Sequence, residues 1–184
     1  MIKTTVRAVL IAGAIAIPLQ TYAQQPPTTS PISQALRSAW ADAKRNFRAS
    51  ADVMPEAKYG FMPVAGVRSF GAILAHVAGA SYEFCAAAKG EAPPHKEAEF
   101  EASAKTKADI VKALDGSIAY CDSVYATLDD AKAAAVVPGA FGGPPAARAA
   151  SLIGNTNHFN EHYGNLVTYM RINGLVPPSS APRK

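Results

Sequence analysis

The chain has 184 residues, 49% hydrophobic and 17% charged, with a formal charge of +4, 14 prolines and two cysteines. That length and apolar content suit one globular domain with a core of its own and exclude disorder throughout. Two cysteines exclude a disulfide-stapled miniprotein, and basic residues spread along the chain rather than clustered argue against a nucleic-acid binder.

At the N-terminus, Lys3 and Arg7 lead into an apolar run from Ala8 to Leu19, and Thr21-Tyr22-Ala23 then offers small residues where signal peptidase reads. This is the pattern of a cleaved secretory signal over residues 1–23. A membrane anchor needs about 20 apolar residues, more than this run supplies, and no other segment is expected to cross a membrane. Losing Lys3 and Arg7 lowers the formal charge to +2. The mature chain, residues 24–184, is therefore expected to be nearly neutral, soluble and periplasmic or secreted.

Residues 24–29 read as a polar tether, and the folded core is expected over 30–176. Ser30-Pro31 is a helix start, with a capping hydroxyl and proline at the first helical position. Ile32, Leu36, Trp40, Ala43 and Phe47 then recur at helical spacing to about Val53. Residues 54–68, with two prolines and two glycines, form a loop. Ser69 caps a second helix that carries Phe70, Ile73, Leu74, Val77 and Phe84 and stops near Lys89-Gly90. Residues 91–105, charged and containing Pro93-Pro94, read mostly as a connection. Thr106 with Asp109 resembles a capping box for a third helix running to Leu128. Residues 129–145 form a glycine- and proline-rich loop, expected to be mobile or to act as a lid, with an inert connector as the alternative. A fourth helix spans about Ala146 to Asn173. No strand is expected, Val136-Val137 being too short. The prediction is an all-α, four-helix bundle with long connections between helices.

Chemistry rests on the histidines. His158 and His162, four apart, share one face of the fourth helix, and His76 sits beside the inward stripe of the second. Three neutral imidazoles from two facing helices would hold a divalent transition metal and leave an open coordination position. The bland alternative is a set of satisfied core histidines in a purely structural bundle. His95, after Pro94, reads as a solvated loop residue. His158 to His162 also spells H-x-x-E-H, the pentapeptide of the inverted zinc peptidases. Those enzymes take a third, acidic ligand from downstream, whereas none of the 22 residues after His162 is Asp or Glu. That class is disfavoured. Glu83, on the His76 face, and Glu161, beside the histidine pair, are the candidate catalytic bases, each with a solvated-surface alternative. Asn157 and Asn160 are candidates for the rim of the site, and Trp40 and Tyr163 for the core.

Val67-Arg68-Ser69-Phe70-Gly71, Ala75-His76-Val77 and Asn157 to Gly164 together resemble the DinB/YfiT-like superfamily of metalloenzymes, and Asn165 to Arg171 with Val176 to Ser180 resemble an exported branch of it. The resemblance implies an up-down-down-up bundle and carries the family's metal triad onto His76, His158 and His162. Imidazole suits Zn²⁺, Ni²⁺ and other ions alike, Zn²⁺ or Ni²⁺ being the first expectations. A metal-dependent hydrolase or transferase acting on a small molecule is the leading reading. A non-catalytic periplasmic metal-binding protein is the runner-up, and homodimerisation is left open. Relatives that use cytoplasmic thiols differ from this chain in location, which favours hydrolysis. In the parallel arrangement that the resemblance implies for the second and third helices, Cys85 and Cys121 lie at nearly the same height and can be bridged in an oxidising compartment. Two buried free thiols are the alternative.

Overall fold

The computed structural model describes residues 30–182; the expected signal segment 1–23 and the tether 24–29 lie outside the described residues. Four long helices make the bundle: α1 (Pro31–Val53), α2 (Phe70–Lys89), α4 (Lys107–Ala126) and α6 (Arg148–Ile172). Two short helices lie in the connections, α3 (Glu97–Ser103) and α5 (Asp130–Ala134), and Val136–Val137 (β1) pairs antiparallel with Ala146–Ala147 (β2).

Helix directions follow from which residues meet. Gly71 lies against Ile110, Tyr82 against Gly116, and Cys85 against Cys121, so numbering rises along both α2 and α4 and the two run parallel. Arg48 pairs with Asp115, Lys44 with Asp122, and Arg37 with the Leu128 carbonyl, which makes α1 antiparallel to α4. His76 meets His162, Phe84 meets Gly154, and the Ala88 carbonyl meets Arg148, so α6 is antiparallel to α2.

Helix α2 is the central element. Its run of alanines and glycines lets neighbours approach on most sides, and 16 of its 20 residues are buried. It also has the length and hydropathy of a membrane span, which the sequence reading did not anticipate; 83% of that apolar window is covered by the other helices, as befits a core helix. Around it pack Phe47, Met54, Phe70, Leu114, Leu152, Phe159, Leu166 and Met170. Trp40 stacks on Tyr125 at 5.1 Å and meets the Phe159 ring edge-on at 4.9 Å. Its indole N–H donates to Asp122 at 2.7 Å, so the polar end of the ring is satisfied.

The caps hold with one exception. The Ser69 hydroxyl accepts from Ala72 N–H, and Thr106 and Asp109 form the reciprocal box. Ser30 makes no side-chain cap. The Asp130 carboxylate takes that role from the far side of the sequence, accepting from Ile32 and Ser33 N–H at 3.3 and 2.8 Å. A carboxylate at a helix N-terminus also complements the helix dipole, and here it ties α5 to α1.

Two connections depart from expectation. Residues 91–105 contain α3, whose first turn lies so close to Gly79 that a Cβ there would stand 2.2 Å from the Glu97 carbonyl oxygen. The 129–145 segment is built rather than free. It holds α5, the β1–β2 pairing and an Arg148 N–H bond to the Ala135 carbonyl at 2.8 Å. Ala146 and Ala147, expected to open the last helix, are strand residues instead. Leu128 lies beyond the end of α4 yet remains buried. Cys85 and Cys121 are joined in a disulfide with Cα atoms 5.4 Å apart.

Candidate metal centre

Local packing decides where the three histidines point. On α6, Leu152, Asn155, Phe159, Leu166 and Tyr169 form the buried stripe. Gly154, His158 and His162 lie on the flank of that stripe that faces α2. Phe84 fills the space above Gly154, where a Cβ would stand 2.8 Å from its Cε1. His76, one residue from the fully buried Val77, is itself 7% exposed and meets the α6 pair. The side chains predicted to converge therefore do so. His76 Nε2 is 3.1 Å from His158 Nε2, and His162 Nε2 is 3.2 Å from the same atom.

The second nitrogen of His76 is held by carboxylates. His76 Nδ1 lies 3.0 Å from Glu101 Oε1 and 2.9 Å from Glu97 Oε1, both on α3. The carboxylates require the proton on Nδ1, which leaves the Nε2 lone pair facing the other two rings. Arg68 pairs with Glu101 at 3.3 Å and balances its charge. The Asn165 side-chain amide nitrogen lies 3.4 Å from His162 Nδ1. His158 Nδ1 is buried without a partner.

Both α6 rings favour the neutral form. Burial is the largest cause for His158, reinforced by the neighbouring His162, His76 and Arg68, and pushes its pKa down to about 3. Burial, then His76, lowers His162, while the Glu161 carboxylate works against the shift. Neutral imidazoles are what a metal requires. With all three rings neutral, hydrogen bonding alone cannot satisfy the cluster. With His76 Nε2 an acceptor, one N–H from His158 can serve His76 or His162, and a lone pair is left unmet. A single ion satisfies all three. Nitrogens held 2.0–2.1 Å from one tetrahedral ion stand about 3.3 Å apart, close to the spacing observed. The residues fit a divalent transition metal.

His158 is unprotonated in the fold and titrates at its ordinary value when unfolded, so the unfolded chain binds more protons between about pH 6.5 and 3. Stability of the metal-free protein is therefore expected to fall as pH drops through that window, by on the order of 3 kcal/mol after allowance for solvent screening. Urea titrations at pH 7 and pH 4.5 check this. His158→Gln should flatten the dependence, and an equal slope in both proteins would refute it.

The other candidates separate clearly. Glu83 is half-buried and Glu161 exposed, and among the described residues neither makes a hydrogen bond or ion pair. Only Glu161 has an electrostatic effect on a triad member. Asn157 and Asn160 are exposed, Trp40 is core, and Tyr163 is half-buried with its hydroxyl bonded to Ser179. His95 lies 3.0 Å from Glu99 and apart from the cluster. Sequence reasoning missed Glu97 and Glu101. Their i,i+4 spacing, with an otherwise unexplained Gly79 in the middle of a helix, was the available signal. His76, Glu97 and Glu101 form a second cluster of metal-ligand type; it shares His76 through the opposite nitrogen, where a proton donated to the carboxylates accounts for the contacts.

Similarity to known proteins agrees with this fold. A DinB-like protein from Bacillus cereus superposes with a TM-score of 0.64 at 17% identity, over 79% of this chain and 95% of its own. A DinB-like protein from Bacillus subtilis gives 0.59 at 15% identity, over 76% of this chain and 92% of its own. The mycothiol-dependent maleylpyruvate isomerase gives 0.60 at 16% identity over 73% of this chain, which spans 60% of the isomerase. No curated protein matches the sequence. Residues 39–166, which include all three clustered histidines together with Glu97 and Glu101, match the DinB superfamily, and the chain belongs to that superfamily.

Proposed function

We propose that this chain is an exported, metal-dependent hydrolase or transferase that holds one divalent transition ion, Zn²⁺ or Ni²⁺, through the Nε2 atoms of His76, His158 and His162. The observation that carries the reading is the convergence of three imidazole nitrogens, with His76 Nε2 and His162 Nε2 lying 3.1 and 3.2 Å from His158 Nε2. Such an ion supplies Lewis acidity and makes hydroxide accessible near neutral pH. Glu101 fixes the tautomer and plane of His76, with Glu97 alongside it. Burial keeps His158 and His162 unprotonated. Glu161, exposed and adjacent in sequence to His162, is in this reading the base on the solvent side. The basic-apolar-small pattern of residues 1–23 and the Cys85–Cys121 disulfide support export to an oxidising compartment. A location poor in cytoplasmic thiols favours hydrolysis over the thiol-dependent chemistry named for the isomerase.

Zinc and nickel titrations of the chelator-treated protein, read by calorimetry, test the assignment. One ion per chain is expected, together with turnover on an ester, amide or thioether panel that disappears with chelator. Equal affinity in the His76→Ala/His158→Ala/His162→Ala protein would overturn the metal site. Tight metal binding without turnover on any panel would leave a binding protein rather than an enzyme.

A further inference from the structure

The loop before α6 brings Phe141 against Phe84 of α2, and Phe84 lies beside His158. Phe141 adopts φ +53°, the sole non-glycine with positive φ among the described residues. A bulky side chain in the left-handed region is strained, and such strain persists where the surroundings enforce it, often at functional sites. Glycines stand close by at 139, 142 and 143, so a residue free of this cost was available to the same turn. The Phe141 ring meets Phe84 edge-on at 4.9 Å, yet the residue stays 48% exposed. Phe84 in turn lies 5.8 Å, ring to ring, from His158 and is locked over Gly154, one turn before it. The loop that presents Phe141 is anchored by the β1–β2 pairing and by Arg148. Phe84 thus flanks His158, and Phe141 extends that apolar face outward to solvent. On the opposite side Arg68 and the α3 carboxylates make the surroundings polar.

We propose that the site acts on substrates carrying an aromatic or similarly bulky apolar group, seated on Phe84 and Phe141 while the group to be polarised faces the histidines. The inference rests on the metal reading above. Phe141 and Phe84 are specificity residues, since aromatic rings give sizeable contact area and directional edge-to-face packing.

Two hydroxamates probe it, because both present the same chelating group while one carries a phenyl ring and the other a methyl. Binding of benzohydroxamate and acetohydroxamate to the zinc-loaded protein is measured by calorimetry. The phenyl compound is expected to bind about 30-fold more tightly. Phe141→Gly, which relieves the backbone, should keep the melting temperature within a few degrees and cut that preference to about 3-fold. Phe141→Leu should retain most of it, and Phe84→Leu should reduce it. Acetohydroxamate affinity should stay constant in the Phe141 variants, since it reports the metal alone. A preference unchanged in Phe141→Gly, or absent in the parent with acetohydroxamate still bound, overturns the apolar subsite and leaves the metal reading standing. Failure of both hydroxamates to bind zinc-loaded protein overturns the open metal site, and the subsite with it.

Discussion

Replacing His158 with alanine is expected to weaken zinc binding by more than about 100-fold, because His158 Nε2 is the atom both other rings approach. Loss of an outer carboxylate partner typically costs 10–100-fold, and loss of a ligand should exceed that. Glu101→Gln keeps the shape of the side chain but accepts from His76 less strongly, so a loss of roughly 10-fold is expected. Gly79→Ala provides an independent route to the same defect. The added methyl would collide with Glu97 backbone atoms 2.2–2.8 Å away, so α3 must move and withdraw both carboxylates together. Competition with a chromophoric chelator measures the affinities, and circular dichroism confirms that each variant keeps its helices. His158→Ala should not destabilise the metal-free protein appreciably. It removes a ring whose Nδ1 is buried without a partner, and an unmet polar group costs about 1–3 kcal/mol. Zinc affinity in His158→Ala equal to the parent's would remove the basis for the site.

The parts of this site that could be read from the sequence are those governed by local periodicity. His158 and His162 share a face because four residues make about one helical turn, and His76 turns inward because its neighbours Leu74 and Val77 do. The Ser69 and Thr106–Asp109 caps were legible for the same reason: each involves residues three apart. What was not legible depends on contacts between distant segments. Glu101 is 25 residues from His76 and reaches it only because α3 docks on Gly79 and packs Phe100 against Tyr82, with ring centroids 5.9 Å apart. A seven-residue helix beside Pro93-Pro94 has too few turns to declare itself by pattern. Asp130 displaced Ser30 as the cap of α1 through a contact across 97 residues. Glu83 shows what periodicity leaves out. Its i+7 relation to His76 puts it on the same face, yet seven residues carry it about 10 Å along the axis, beyond hydrogen-bond reach of the ring. The Phe141 backbone likewise has no sequence signal, because an aromatic residue is a poor choice for positive φ.

Removing the Cys85–Cys121 bridge is expected to lower stability by up to about 4 kcal/mol, since it closes a loop of 36 residues in the unfolded chain. In a domain of this size that corresponds to a melting temperature lower by roughly 10–15 °C, seen either in Cys85→Ser/Cys121→Ser or after full reduction. Both cysteines are 0% exposed, so a reductant reaches the sulfurs only when the bundle opens. Reduction should therefore be slow in buffer and fast in denaturant. The bridge fixes the height of α2 against α4 near their C-terminal ends, while the histidines depend on the pairing of α2 with α6. These are different interfaces, and His76 lies nine residues from Cys85, about 14 Å along the helix. Zinc affinity at 25 °C should accordingly change by less than about 3-fold when the bridge is lost. The two interfaces meet at Asn155, whose amide lies 3.7 Å from Cys121 Sγ and one turn before His158. A large fall in affinity would mean that this contact transmits the strain of the unbridged state to the site. Alkylation of the protein as isolated, without reductant and followed by mass spectrometry, decides whether the bridge forms: an unmodified chain is expected, and two modified thiols would refute it.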